Sequence, residues 1–343
     1  KYPLLNSVHP YKTVTVTLSR TSYTYNGSVH TPFVSVKDLA GEQLKKNTDY
    51  TVTYEGDCIN VGTYNVIIKG MGKYFFKETV PFEITPAPAY NCHMSLSTGD
   101  YTYDGSVKTP VVTLKTYDGK KLTEGVSYTV SYPGIRRNVG RYTVKVTLKG
   151  NYTGTKQMYF DINPIEVSSC SVKLSTTAYT YDGKVKTPTV TVTSPTGSKL
   201  TNGISYEVGY ASGRKDVGTY KVTVFMTGNY TGIRTLTFKI NPASLGTCKL
   251  SATSYTYNGS VKTPTVTVKN ASGTTLTKNT SYTVTYASGR KNVGTYKVTI
   301  KGKGNYTGTK TLTFKIVPKA PSINKLTAKT KALTVTLNKQ TTQ

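Results

Sequence analysis

One seven-residue motif recurs four times along the chain and constrains its fold more than any other feature. It reads Asn/Asp-Val-Gly-x-Tyr-x-Val and begins at Asn60, Asn138, Asp216 and Asn292, at intervals of 78, 78 and 76 residues. Each copy joins a turn to an alternating strand on which Tyr and Val share one face. A period of this length predicts four small domains rather than two or three larger ones.

The tyrosine of each copy is predicted to form a tyrosine corner, in which a buried ring sends its hydroxyl back to nearby backbone. The motif resembles the Asp-x-Gly-x-Tyr-x-Cys run of immunoglobulin domains, with valine in place of the disulfide cysteine. This role predicts that the rings lie inside and hold two sheets together. The tyrosines concerned are Tyr64, Tyr142, Tyr220 and Tyr296.

Strand-forming residues dominate the composition. The chain has 29 Tyr, 8 Phe and no Trp, and no window shows a sustained apolar stripe at helical spacing. A Tyr-Thr-Tyr run followed by Asn-Gly or Asp-Gly occurs in every repeat, and we expect these dipeptides to form two-residue hairpin turns. We therefore predict an all-β fold of four tandem immunoglobulin-like β-sandwich domains. Short linkers that contain proline predict an elongated rod with limited hinges.

The predicted domain boundaries follow the Phe-x-Ile-x-Pro motif that closes each repeat. They give a divergent first repeat at 1–87 and further repeats at 88–165, 166–243 and 244–319. Residues 320–343 break the period and resemble the first two strands of a fibronectin type III module. Two strands are too few for a stable domain, so we interpret them as the truncated start of a further domain or as a disordered end.

Together, the repeated motifs resemble the bacterial immunoglobulin-like modules of Gram-positive surface proteins, in particular tandem arrays of gut Firmicutes. The resemblance covers residues 11–318 and implies an extracellular protein attached to the cell wall. In such proteins the modules serve as stalk, spacer or ligand-binding unit. No signal peptide, membrane span or wall-sorting motif is visible, and we interpret the chain as a fragment of a longer protein.

Four cysteines do not make a disulfide framework in a chain of 343 residues. Cys92, Cys170 and Cys248 begin the second, third and fourth repeats, and equivalent sites in successive repeats lie too far apart for a bridge. Cys58 precedes the first tyrosine corner, in a loop expected at the end of the domain that meets the next one. We predict a Cys58–Cys92 bridge across the first junction and free thiols at Cys170 and Cys248.

The net charge of +28 arises from 44 basic and 16 acidic side chains. Lysines on the outward face of each strand would keep the molecule soluble and block pairing between sheet edges. The alternative is attraction to an anionic glycan or cell-wall polymer. We expect no specific binding of nucleic acid, because the lysines are spread through all repeats and no nucleic-acid motif is present.

The first candidate binding surface is the hairpin tip Gly-Asn-Tyr-Thr-Gly. An exposed tyrosine beside small polar residues suits sugars or proteins, whereas the alternative is a ring that packs over its own hairpin. The first repeat has Lys-Tyr-Phe-Phe at its tip, an aromatic patch for a protein partner unless a phenylalanine tucks against the neighbouring loop. The tip residues are Tyr152, Tyr230 and Tyr306, with Tyr74, Phe75 and Phe76 in the first repeat.

The second candidate surface is a basic pair before each tyrosine corner. Repetition at one period predicts a ladder of positive charge along the rod, and the alternative is a solvated turn. The pairs are Arg136-Arg137, Arg214-Lys215 and Arg290-Lys291.

No residue pattern indicates an enzyme, a metal site or a cofactor site. The histidines have no partners at metal-ligand spacing, and no serine or cysteine lies in a nucleophile context. The leading hypothesis is a non-enzymatic, monomeric cell-surface stalk and adhesin array. One alternative is a host-protein receptor that binds an immunoglobulin or a mucin-type glycoprotein. Another is an electrostatic binder of cell-wall polymer or anionic glycan.

Overall fold

The computed structural model describes residues 13–338, so the first 12 residues of the first repeat and the last five of the tail lie outside it. This part of the chain is all-β, and its only helical segments are two short 3-10 turns, Ala89–Asn91 and Val167–Ser169. The chain divides into two compact units, residues 1–165 and 166–343.

Alternation of Thr or Lys with Val, Ile or Tyr produces strands with one buried and one solvated face. The strands of the first unit are β1 (Thr15–Leu18), β2 (Ser22–Thr24), β3 (Val34–Lys37), β4 (Tyr50–Tyr54), β5 (Gly62–Gly70), β6 (Lys77–Thr85), β7 (Ala87–Pro88), β8 (Cys92–Leu96), β9 (Asp100–Thr102), β10 (Val112–Thr116), β11 (Tyr128–Ser131), β12 (Gly140–Leu148), β13 (Tyr152–Thr153), β14 (Thr155–Asn163) and, at its end, β15 (Ile165–Glu166).

The second unit repeats this succession and adds a terminal hairpin. Its strands are β16 (Ser171–Leu174), β17 (Ala178–Thr180), β18 (Val190–Thr193), β19 (Tyr206–Tyr210), β20 (Gly218–Met226), β21 (Tyr230–Thr231), β22 (Ile233–Asn241), β23 (Ala243–Ser244), β24 (Cys248–Leu250), β25 (Ser254–Thr256), β26 (Val266–Val268), β27 (Tyr282–Tyr286), β28 (Gly294–Gly302), β29 (Tyr306–Thr307), β30 (Thr309–Val317), β31 (Ile323–Lys329) and β32 (Ala332–Leu337).

Each repeat builds the same two sheets. In the first repeat β1 pairs antiparallel with β3, and a four-stranded sheet has the order β2-β6-β5-β4. The second repeat has β8–β10 and β9-β14-β12-β11, the third β16–β18 and β17-β22-β20-β19, and the fourth β24–β26 and β25-β30-β28-β27. The short edge strand (β2, β9, β17 or β25) runs parallel to its neighbour, and the other pairs are antiparallel. The pattern of strands therefore recurs four times.

The Asn-Gly and Asp-Gly dipeptides do not form hairpins, and that prediction is wrong. β2 and β3 belong to different sheets, so the turn between them carries the chain from one sheet to the other. Gly27 has a φ of +82°, and the Ser28 amide donates to Asn26 Oδ1 at 2.9 Å. The asparagine side chain thus holds the turn locally, without a pairing strand.

A phenylalanine from the closing motif occupies the centre of each core. Phe82, Phe160, Phe238 and Phe314 are each 1% exposed. The corner tyrosine lies against this ring, with centroids 5.6–5.7 Å apart in all four repeats. Replacing one of these phenylalanines by alanine would cost about 3–5 kcal/mol, because its site is fully enclosed.

The four corner tyrosines make the same hydrogen bond. Each hydroxyl donates at 2.8 Å to the carbonyl oxygen of the first motif residue, four positions earlier: Asn60, Asn138, Asp216 and Asn292. The rings are half-buried rather than enclosed. One part of each ring covers the core phenylalanine while its hydroxyl reaches a turn at the surface. The expectation of rings wholly inside is therefore wrong, although the hydroxyl holds the turn.

The predicted Cys58–Cys92 bridge is absent, and all four cysteines are free thiols. Cys58 is 2% exposed in the core of the first repeat, and Cys92 is 4% exposed in the core of the second. Each side chain points into its own domain, so the two sulfur atoms do not meet at the junction. Cys170 and Cys248 are half-buried thiols.

The tail forms a hairpin in which β31 pairs antiparallel with β32. Its apolar side chains are 47–65% exposed and comprise Ile323, Leu326, Leu333, Val335 and Leu337. Two strands therefore form where the sequence places them, without a core of their own among the described residues. The fibronectin type III interpretation stays a prediction.

Candidate functional site

The hairpin tips of the second and fourth repeats contact the repeat before them. We call the contact between repeats one and two the first joint, and the contact between repeats three and four the second joint. In each tip a glycine with positive φ, Gly150 at +68° or Gly304 at +63°, reverses the chain. The tip strand then pairs in parallel with the linker, β13 with β7 and β29 with β23. The linker is thus fastened to the repeat that follows it.

The tip asparagine forms hydrogen bonds with the preceding repeat. At the first joint, Val61 N–H donates to Asn151 Oδ1 at 2.9 Å, and Asn151 Nδ2 donates to Asn60 Oδ1 at 2.8 Å. One side-chain amide therefore satisfies a backbone donor and a side-chain acceptor of the first corner motif. The geometry resembles a capping interaction, in which a side chain completes the hydrogen bonds of a turn.

The second joint repeats this pair of bonds with one change of partner. Val217 N–H donates to Asn305 Oδ1 at 2.8 Å, and Asn305 Nδ2 donates to the carboxylate of Asp216 at 2.9 Å. The corner motif thus has two functions: its tyrosine closes its own repeat, and its first two residues receive the tip of the next one.

The tip tyrosine also crosses each joint. Tyr152 lies edge-on to Tyr25, with ring centroids 5.4 Å apart, and Tyr306 lies edge-on to Tyr181 at 5.5 Å. Such pairs are worth about 0.5–1.5 kcal/mol beyond the area that they bury. Burial, followed by the neighbouring Tyr25, raises the pKa of Tyr152 to about 12, so its hydroxyl stays protonated at physiological pH.

The predicted exposure of the tip tyrosines is therefore wrong at both joints. Tyr152 is 8% exposed in the core of the second repeat, and Tyr306 is half-buried against that of the fourth. The tip of the third repeat places Tyr230 in strand β21, half-buried against its own core. At both joints the ring packs against a tyrosine of the preceding repeat and against its own core.

The aromatic tip of the first repeat is also less exposed than predicted. Tyr74 is 6% exposed and Phe76 is 8% exposed, and both belong to the first core. Alternation along the chain turns Phe75 outward, to 54% exposure. Of the predicted patch Tyr74-Phe75-Phe76, only Phe75 presents a large surface to solvent.

The first residue of each basic pair is held by its own repeat. Arg136 lies 5.2 Å over the Tyr132 ring and donates to the carbonyl oxygens of Tyr132 and Lys108, at 2.5 and 3.0 Å. A guanidinium over an aromatic face contributes about 0.5–1 kcal/mol at such a site. Arg214 and Arg290 take the same position over Tyr210 and Tyr286, at 5.1 and 5.3 Å. These arginines clamp a loop, so their prediction as members of an open basic ladder is wrong.

The second residue of each pair points to solvent. Arg137, Lys215 and Lys291 are exposed and stay candidates for contact with an anionic partner. In the first repeat Cys58 replaces the clamp arginine, with a φ of +51° and its carbonyl oxygen accepting from His30 N–H at 2.8 Å. The first repeat therefore keeps the backbone contact of this loop but lacks its positive charges.

The residues that build the joints were missed by reasoning on sequence. From the sequence, Asn151 and Asn305 are indistinguishable from ordinary turn residues. Tyr25 and Tyr181 are each the second tyrosine of a Tyr-Thr-Tyr run, which predicts only a strand. One signal was available: the first tip, at residues 72–76, lacks the Asn-Tyr dipeptide, whereas the other three tips carry it. Because the Asn-Tyr dipeptide is present in three tips and absent from the first, it indicates a function other than forming the turn.

Among residues 13–338, no group of three or more His, Cys, Asp or Glu side chains is arranged to hold a metal ion. The same stretch contains no helix with the length and apolar character needed to cross a membrane.

Residues 170–244 match the MBG domain family, which covers nearly the whole of the third repeat. No match was found among curated proteins. Solved structures that are similar to the chain include invasin and two others. Invasin, a bacterial integrin-binding protein, is 12% identical over 92% of this chain and 81% of its own, with a TM-score of 0.35.

The other two are domains 4–9 of the surface layer protein SbsC and the extracellular domain of protocadherin γB4. The first is 14% identical over 95% of this chain and 70% of its own, with a TM-score of 0.22. The second is 9% identical over 89% and 67%, with a TM-score of 0.19. Similarities of this size carry no argument about function.

Proposed function

We propose that this chain is a non-enzymatic spacer and adhesin array of a Gram-positive cell-surface protein. Its immunoglobulin-like repeats follow the boundaries at 87, 165, 243 and 319. The observation that supports the proposal is the joint: one asparagine, Asn151 or Asn305, holds the corner of the preceding repeat through two hydrogen bonds. A short linker by itself limits bending but does not set the angle between two domains, which requires contacts across the junction.

The joints give the proposed spacer its mechanism. The paired linker strand removes the torsional freedom of the junction, and the asparagine and tyrosine fix the angle between the two repeats. Each pair of repeats joined in this way keeps a defined span between its two ends. Each hydrogen bond that crosses a joint adds about 0.5–1.5 kcal/mol against bending.

Small-angle X-ray scattering of the full chain tests the spacer. A variant with Asn151→Ala and Asn305→Ala should show a broader distribution of maximum dimensions than the wild type, because two joints lose their side-chain bonds. The matched control carries Thr153→Ala and Thr307→Ala, which are exposed tip residues, and should scatter like the wild type. Identical scattering from the asparagine variant and the control would contradict the proposal.

A second function, binding of an anionic cell-wall polymer or glycan, is favoured by an asymmetry of charge. Residues 217–343 contain no Asp or Glu at all, so Asp216 is the last acidic residue of the chain. On the outward face of the fourth repeat, Lys297, Lys301 and Lys315 stand among threonines in β28 and β30. A cationic face without carboxylates attracts polyanions over about one Debye length, ~8 Å at physiological salt.

Titration with lipoteichoic acid at two salt concentrations tests this second function. Affinity should fall steeply between 50 and 200 mM salt, because each neutralised charge releases a counterion. Lys297→Gln, Lys301→Gln and Lys315→Gln together should weaken binding about tenfold. The control, Lys69→Gln with Lys77→Gln in the first repeat, should change the affinity far less, since the strand that contains Lys77 also contains Glu78 and Glu83.

The same titration separates a host-protein receptor from a polyanion binder. A host-protein receptor should keep immunoglobulin or mucin glycoprotein bound at 200 mM salt. The lysine substitutions should not change the affinity for such a protein partner. Such a result would reject the electrostatic function and leave the spacer untouched.

A further inference from the structure

The first joint encloses a cleft that the spacer function does not use. It lies beside the contact between Tyr25 and Tyr152 and has a volume of about 320 Å³. This size is at the lower end of the range for small-molecule sites, ~300–1,000 Å³. The walls combine aromatic rings with amide, carboxylate and ammonium groups, and the lining includes Tyr25, Asn26, Asn91, Tyr117, Asp118 and Lys120.

Tyr117 is the most exposed large side chain of this cleft, at 95%. A ring that is almost wholly in water contributes little to the stability of the fold. Its backbone is nevertheless fixed, since Tyr117 N–H donates to the Asn91 carbonyl oxygen at 3.0 Å. The loop that follows closes on itself: Gly119 N–H donates to the Thr116 carbonyl oxygen at 3.0 Å. The backbone that carries the ring is therefore held in place, and a ligand that covers the ring has only two side-chain torsions to fix.

The polar groups around Tyr117 complement hydroxyl groups. A hydrogen bond from the Thr116 side chain lowers the pKa of Asp118, so this residue is a carboxylate at neutral pH and acts as an acceptor. Lys120 and the amides of Asn26 and Asn91 supply donors. A pyranose ring has one apolar C–H face and a rim of hydroxyls that both donate and accept. Its face fits an aromatic ring, and its rim fits this set of donors and acceptors.

The second joint provides an internal comparison. It has the same edge-on pair, Tyr181 with Tyr306, and the same linker strand. The positions of Tyr117, Asp118 and Lys120 are occupied there by Ala271, Ser272 and Thr274. The second joint keeps the tyrosine pair and the linker strand without these three larger side chains, so they are not needed to hold two repeats together.

We propose that the cleft at the first joint binds one ring of a neutral oligosaccharide, stacked on Tyr117 and hydrogen-bonded by Asp118, Lys120 and Asn91. This site is independent of the spacer function, because none of these side chains carries the hydrogen bonds of the joint. A single sugar ring on one aromatic face corresponds to weak binding, with a Kd of about 1 mM.

Saturation-transfer difference NMR on the full chain tests the proposal. The probes are maltotetraose, cellotetraose, mannotetraose and N-acetylchitotetraose. At least one should receive saturation at its ring protons, and Tyr117→Ala should weaken that binding about tenfold. Asp118→Ala should weaken it as well. Both side chains are exposed, so the melting temperature of each variant should equal that of the wild type.

A control uses the second joint, where Ser272 stands in place of Asp118: Ser272→Ala should leave sugar binding unchanged. The proposal is rejected if no probe receives saturation, or if Tyr117→Ala binds as well as the wild type. Rejection on either ground leaves the scattering test of the spacer unaffected.

Discussion

The first and second joints share one geometry but place a carboxylate differently. In both, a tip asparagine accepts from the backbone N–H of the valine in the corner motif. At the first joint the same asparagine donates to an amide, Asn60, and Asn60 Nδ2 in turn donates to Asp57 Oδ2 at 2.6 Å. At the second joint the donation goes directly to the carboxylate of Asp216. The bond to the backbone therefore sets the geometry, and the side-chain acceptor can change without altering the contact.

The largest expected effect comes from removal of the tip tyrosines. Tyr152→Ala should destabilise the second repeat by about 3 kcal/mol, and Tyr306→Ala the fourth by about 2 kcal/mol, because Tyr152 is the more deeply buried. Hydrogen exchange with mass spectrometry resolves these losses repeat by repeat. Tyr90→Ala, at an 81% exposed side chain, is the control and should change nothing measurable. Equal losses at both joints would contradict the difference in burial.

Replacing the tip asparagine by aspartate should reduce the stability of the second joint by about 1 kcal/mol more than that of the first. Asn305→Asp places a second carboxylate against Asp216, and like charges at contact repel. Asn151→Asp faces the Asn60 amide rather than a carboxylate, so it loses one hydrogen bond without a direct repulsion between two carboxylates, and stability should fall less.

Hydrogen exchange at Val61 and Val217 measures the two effects at pH 7. Similar losses at both joints would overturn the assignment of Asp216 as the acceptor.

Low pH should destabilise the first repeat by protonating Asp57. Hydrogen bonds from Ile59 N–H and the Tyr64 hydroxyl lower the pKa of Asp57 to about 2. A depressed pKa means that this contribution to stability is complete above the ordinary value near 3.8 and is lost as pH falls through about 2.

Calorimetry of the wild type and Asp57→Asn between pH 5 and pH 2 measures that contribution. The melting temperature of the first repeat should differ between the two at pH 5 and converge near pH 2. The second joint has Gly213 at the equivalent position, so the transition of the second unit should be the same in both proteins. A difference that persists at pH 2 would argue against Asp57 as the titrating group.

The smallest expected effect is that of a reducing agent, which should leave the melting temperature unchanged. No disulfide crosses the first joint, and burial raises the pKa of Cys58 and of Cys92. Iodoacetamide should therefore label both thiols only after unfolding, and the half-buried Cys170 and Cys248 sooner. A non-reduced digest that yields a linked Cys58–Cys92 peptide would contradict the free thiols.

Local patterns determined much of this protein. The period of about 78 residues, the alternation of Thr with Val and the closing Phe-x-Ile motif are local signals, and the strands and core phenylalanines lie where they predict. The hydroxyl bond of the tyrosine corner spans only four residues, so it too follows from the motif.

Contacts between repeats could not be predicted in this way. Asn151 and Asn60 are 91 residues apart, and nothing in either segment alone specifies a partner for the other. The cysteines show the same limit: their positions in the chain favoured a bridge, but the direction of each side chain depends on how its own sheets pack. The sequence predicts a solvent-exposed charge at Arg136, because it does not show that the ring of Tyr132 lies beneath the guanidinium.

By itself, the sequence determined that the chain folds into four copies of one all-β domain, because strand periodicity is a property of adjacent residues and the motifs recur at one period. The tertiary structure alone decided which of the repeated residues face a neighbouring repeat, which face the core and which face water. The physical reason is that a hydrogen bond or a ring contact forms wherever two groups meet, and folding brings together groups that the chain separates by a whole domain.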